Sequence, residues 1–370
     1  DTDWFKSKIE ETYPKMTRGE KFTIRRLLMS QFKKEMAKLK KTRDAALPYA
    51  IGTPGNSNGV AAFKYQLGVL DPNKFHAEES EAVSIPDLGN RAFRSSLLAD
   101  GVYAPRGEDE RFREITREEA SSSRLTGPLA GIATYFLVPT AGSTFQNAED
   151  VIPRVSQALQ FISRYQPQKF PGAFDAVKSE RGAHAYSNRC ARCHGTYSPG
   201  STLSDAPRLM SFPNALIPLG TIQTDGARLN SVTPQMIRAV MDNPKNSFNR
   251  HATAEQTGGY VAPLLSGLWA SAPYLHNGSV PTLWHLMHPE QRPARFQIGG
   301  HSLDFDKMGV AGHLSDDGGS YIYPMDYRPW STPVLYDTAA LGNSNRGHEW
   351  PFNRMSEDEK SDLLEYLKLL

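Results

Sequence analysis

Cysteine occurs twice in the 370 residues, at 190 and 193, and a histidine follows at once in Cys190-Ala191-Arg192-Cys193-His194. Two thiols two residues apart can each add across a vinyl group of one porphyrin, and the adjacent imidazole can then reach the iron as an axial ligand. Covalent c-type haem, one per chain, is the chemistry this spacing suits best. Three other readings compete: a dithiol redox pair, a zinc ion completed by two distant histidines, and two ordinary cysteines. A zinc site of four cysteines is excluded by the count alone.

With His194 on one side of the iron, the ligand on the other side decides whether a small molecule can bind. His348 is the first choice, because it ends a Gly/Asn/Ser-rich stretch just ahead of the last helix, where a loop can fold back over a porphyrin. Met325, in Tyr323-Pro324-Met325-Asp326, is the alternative, a methionine after a proline-containing loop, and His276 is a third. Two imidazoles favour low-spin iron and a potential below that of a His/Met pair. His285, His288, His301 and His313 are read as ordinary histidines, since no acidic residue stands at a matching helical position between the first two. Trp269, Trp284, Trp330 and Trp350 are expected to be packing rings, with an electron path through one of them as the alternative.

The elements that must carry these groups are legible in part. Val177, Ala183, Ala185 and Tyr186 lie on one face of a helix over 174–192 that delivers both cysteines at its C-terminal end. Ser356 with Glu359 three residues on is a capping box, followed by an apolar face of Leu363, Tyr366, Leu367 and Leu370. A helix is predicted over 148–165, with Pro153 near its first turn. Residues 1–45 hold thirteen Lys/Arg and seven Asp/Glu around Phe22, Ile24, Leu27, Leu28, Phe32, Met36 and Leu39, the pattern of an amphipathic surface helix. Turn signals crowd 47–68 and 70–150, which read as irregular backbone with short helices. The expected fold is mostly α with long irregular loops: an N-terminal region, partly helical, at 1–170, and a cytochrome c-like domain at 171–370.

A resemblance rests on longer strings. Arg181-Gly182, Tyr186 and Cys190 to Gly195 form RGxxxYxxxCxxCHG, which looks like the opening helix of a cytochrome c domain, and the capped C-terminal helix looks like its partner. Gly259-Tyr260-Val261-Ala262-Pro263, Gly267-Leu268-Trp269, and the run from Ala272-Pro273-Tyr274-Leu275-His276-Asn277-Gly278-Ser279 to Leu283 resemble the bacterial di-haem cytochrome c peroxidase superfamily, in particular its rubber-oxygenase-like branch. Phe296 to Gly309 and Asn343 to Glu349 are similar to later motifs of that branch, and Ile85 to Asn90 and the turn at 52–55 are fainter echoes. The resemblance implies that His348 ligates the haem and that His276 lies in its pocket. It also implies a second CxxCH site, whereas this sequence has one, matching the electron-transferring haem.

The implied work is electron transfer with a redox partner protein, alone or as a subunit of a hetero-oligomer whose second haem-bearing subunit supplies the other centre. The alternative is a peroxidase or oxygenase, with Glu255, Gln256 or Arg250 as distal polar groups. A net charge of +2 is too balanced for nucleic-acid binding driven by counterion release. Mean hydropathy is −0.50, and no apolar run approaches the roughly 20 residues of a membrane span. The sequence opens at Asp1 with neither an initiator methionine nor an apolar leader, as expected after removal of a secretory signal, and c-type haem attachment points to the periplasm or another exported compartment.

Overall fold

The computed structural model describes residues 2–44, 53–59, 61, 83–107, 111–121, 129–135, 144–162, 165–199, 206–242, 248–329 and 332–370. Most of the loop expected over 47–68, residues 70–82, and Trp330 lie outside them. The chain divides into two compact units, Asp1–Pro48 and Tyr49–Leu370.

In the first unit, the single helix expected becomes a succession: Thr2–Thr12, Arg18–Thr23, a π turn at Ile24–Leu28, and Met29–Asp44. Thr17 and Glu20 form a reciprocal capping box that starts the second helix. Phe5 stacks on Phe32 with ring centroids 4.6 Å apart, and Arg25 pairs with Glu10 at 3.0 Å. The amphipathic pattern thus closes partly on itself, leaving Phe22 and Leu27 exposed.

In the second unit the expected mostly α fold is overturned. Fifteen strands in six small sheets occur among the described residues. They run two to five residues, too short for an apolar alternation to register, and they pair with distant partners. Tyr103–Pro105 runs antiparallel to Ala252–Ala254, and Ile115–Thr116 runs antiparallel to Arg208–Phe212, which also holds Thr196–Ser198. Arg295–Ile298 sits between Tyr321–Ile322 and Val334–Asp337. The predicted helix at 148–165 occupies Phe145–Ile162.

What positions the cysteine motif is a crossing of two helices, Ala176–Arg189 and Glu357–Leu367. Asp175 caps the first by accepting from the Val177 and Lys178 amides, and Ser356 and Glu359 form the complete capping box of the second. Tyr186, Leu363, Tyr366 and Leu367 are buried in one core with Leu268 and Met287. Each such side chain withdrawn from water contributes about 1.5–3 kcal/mol. Arg181 binds Asp362 through two hydrogen bonds of 2.7 Å, and Arg189 reaches Glu359 at 3.1 Å.

Gly182 lies at the point of closest approach, where an added Cβ would overlap the Asp362 carbonyl. Gly182→Ala therefore pushes backbone against backbone. The gain of about 1 kcal/mol in helix propensity is outweighed, and a net loss of about 2 kcal/mol is expected as a lowered urea midpoint.

Candidate functional site

Cys190 caps the C-terminal end of the first helix, and Ala191–His194 makes one further turn that carries the imidazole to the Pro263 carbonyl. The chain leaves at Gly195 with φ +93°, where a Cβ would stand 2.6 Å from the Ser211 carbonyl, so only glycine fits. The Tyr186 hydroxyl donates to the Gly195 carbonyl at 2.9 Å and locks this exit. Burial pushes the Cys190 thiol up to about 12. A reactive dithiol pair needs the opposite shift at its attacking thiol, which argues against that reading for Cys190.

His194 Nδ1 lies 2.9 Å from the Pro263 carbonyl. A carbonyl can only accept, so Nδ1 carries the proton and Nε2 keeps the lone pair a metal requires. Pro263 is held by the strand Gly259–Val261, paired antiparallel with Leu216–Pro218.

Opposite His194 stands His348. The two rings have centroids 6.0 Å apart and planes inclined by 48°. An imidazole bound to a metal at about 2.0–2.1 Å has its centroid roughly 3 Å from the ion, so two rings sharing one ion lie about 6 Å apart. Burial lowers both imidazoles below their ordinary range, His348 to about 4 with His194 adding to the effect. Both are therefore neutral at physiological pH, the form that ligates. No group of three or more His, Cys, Asp or Glu is placed to hold a metal among the described residues. A porphyrin supplies four in-plane nitrogens, so two facing imidazoles and two adjacent thiols fit a haem where they would not complete a zinc site.

The loop carrying His348 is fastened on several sides. Gly347 and His348 have positive φ, +84° and +52°, and the His348 amide donates to the Ile222 carbonyl at 2.8 Å. Arg292 donates to the carbonyls of Asn345 (2.6 Å) and Gly347 (2.9 Å) in this loop, and to those of His285 (3.2 Å) and Leu286 (2.9 Å) in the helix Leu283–Met287. Asn277 and Ser279, both buried, donate to the Ser344 carbonyl at 3.1 and 2.9 Å. In the sequence Asn277 and Ser279 stand only as letters of the motif run 272–283, with no role attached, and Arg292 is not marked at all. Polar residues among apolar ones are the available signal for the first two, because a buried polar group must find a partner.

His276 lies flat against Tyr260, ring centroids 4.0 Å apart, and burial, with Arg228 nearby, takes its imidazole down to about 3. Met325 is 89 % exposed. His285 is bonded to Thr282 at 2.7 Å, and His288 to Glu357 at 2.8 Å. His301 bonds the Tyr327 hydroxyl at 2.8 Å, and His313 is exposed on a short strand. Arg250, Glu255 and Gln256 are exposed, with Glu255 tied to Arg111 at 2.8 Å. Trp284 stacks on His288 and Trp269 donates to the Gln168 carbonyl.

Residues 259–297 match the family described as RoxA-like, cytochrome c-like. The matched stretch includes Pro263, which orients His194, and Asn277, Ser279 and Arg292, which hold the His348 loop. The protein y4iM of Sinorhizobium fredii (strain NBRC 101917 / NGR234) is 27 % identical over 238 residues, covering 56 % of this chain and 52 % of that one. The protein y4iJ of the same organism is 29 % identical over 263 residues, covering 55 % of this chain and 40 % of that one. The chain thus spans about half the length of these curated relatives or less. The family match supports a haem-binding protein of cytochrome c type, whose haem c is covalently held. No helix among the described residues is long and apolar enough to cross a membrane.

Proposed function

We propose that the chain is an exported c-type cytochrome that relays single electrons in the periplasm. In this reading it holds one haem through thioethers to Cys190 and Cys193 and through axial bonds from His194 and His348. The observation that carries it is the 6.0 Å separation of the two imidazole rings. Bound there, the haem supplies a one-electron couple between ferric and ferrous iron.

The protein residues do the rest. Pro263 orients His194 by accepting a hydrogen bond from its Nδ1–H, and Arg292, Asn277 and Ser279 hold the segment 344–347 that leads into His348. Ligands tied to separate rigid elements move little between oxidation states, which lowers the reorganisation a relay must undergo. The physiological counterpart is a redox partner protein.

In a second reading a partner subunit or a further segment brings a catalytic haem for peroxidase or oxygenase chemistry; the RoxA-like match at 259–297 is what supports it. Ferric and dithionite-reduced absorption spectra of the purified holoprotein test the proposal. Sharp low-spin bands in both states, unmoved by carbon monoxide, are expected. A missing Soret band rejects the haem, and a shift with carbon monoxide transfers support to the second reading.

A further inference from the structure

The backbone around His348 alternates in direction. His348 faces His194, and Phe352, four residues on, is buried in the core with its ring 5.6 Å from that of His348. Between them Trp350 turns outward and is 41 % exposed. Its indole is covered by the guanidinium of Arg192, whose Cζ lies 4.5 Å from the ring centroid. Arg192 belongs to the attachment motif itself, one residue before Cys193 and two before His194. The pair therefore bridges, at the surface, the segments that bear the two axial imidazoles.

The charges there are uneven. Arg181 and Arg189 on the adjoining helix are neutralised by Asp362 and Glu359. Arg192 has no carboxylate partner among the described residues, and neither has the exposed Arg346, two residues before His348. A cation stacked on a solvent-exposed indole presents a positive and polarisable face to an incoming molecule; along the chain the exposed Arg346 adds a positive charge four residues before Trp350 and the exposed Glu349 a negative one directly before it.

Resting on the electron-relay reading, we infer that the Arg192–Trp350 pair is the port through which electrons leave, and that it docks a one-electron carrier protein with an acidic face. In the exchange the ferrous iron loses one electron, the carrier gains it, and no proton moves. Arg192 steers the anionic surface into place, and Trp350 provides the contact nearest both ligand segments.

Stopped-flow oxidation of the reduced holoprotein by two small oxidants of opposite charge tests this. At low ionic strength Arg192→Glu should slow oxidation by ferricyanide about five- to tenfold and accelerate oxidation by the tris(phenanthroline)cobalt(III) cation, with both effects collapsing at high salt. Trp350→Leu should slow both oxidants at unchanged charge, and Trp350→Phe should restore most of the loss. The Soret band should be unaltered throughout; the potential of Arg192→Glu should fall with the added negative charge, which favours oxidation by either reagent, so the opposed response of the two oxidants rather than either rate alone carries the result.

Rates within twofold of wild type for both variants, with a normal Soret band, would overturn the port while leaving the haem reading intact. So would equal slowing of both oxidants by Arg192→Glu. Wild-type protein without a Soret band would instead remove the relay reading, and the port with it. If Arg192→Glu does not fold, Arg192→Gln should give the same opposed changes at about half the logarithmic size.

Discussion

Holoprotein carrying His348→Ala is expected to show high-spin ferric iron and to bind carbon monoxide on reduction, where wild type does neither. The argument is one of supply. The two imidazoles face each other across 6.0 Å, Met325 is turned into solvent, and His276 is stacked on Tyr260. His348 is the imidazole that faces His194, so its loss leaves the sixth position to water or to an added gas. His348→Met should instead keep the iron six-coordinate and raise the potential, within the roughly 0.8 V range that axial ligands govern. Absorption spectra with and without carbon monoxide, and a potentiometric titration, distinguish these outcomes. A low-spin, carbon-monoxide-insensitive alanine variant would reject His348 as the ligand.

A larger change is expected from the double substitution Cys190→Ala, Cys193→Ala. Haem stain that survives denaturing electrophoresis should be abolished completely, since no other cysteine exists to form a thioether. Each single substitution should leave one bond and a shifted alkaline pyridine haemochrome band. Burial pushes the Cys190 thiol up to about 12, which disfavours the thiolate that disulfide exchange requires. Stain retained by the double variant would disprove covalent attachment through this motif.

Some of this architecture was open to inspection of the sequence because it is locally encoded. The helix ending at Arg189 shows a 3.6-residue period, and Ser356 with Glu359 announces the last helix within four residues. The motif at 190–194 carries its chemistry in its spacing. The sheets were hidden for the converse reason: a strand such as Tyr103–Pro105 is three residues long, and what makes it a strand is a partner about 150 residues away. The supports of the His348 loop were hidden too. Arg292 binds only backbone carbonyls, which every residue type offers, so nothing in the composition around 345 or 347 marks its partners. Met325 illustrates the opposite error, in which a plausible local context carries no information about which side of a loop faces water.

The four carbonyls that meet Arg292 belong to two segments of one chain, the His348 loop and the helix Leu283–Met287. A single side chain so bonded takes conformational freedom from the loop as the chain folds. A ligand restrained in this way has less freedom left to surrender, so more of a metal–imidazole bond energy would survive as affinity. Under the proposed ligation, Arg292 would therefore strengthen the bond from His348 through a side chain that is not itself a ligand.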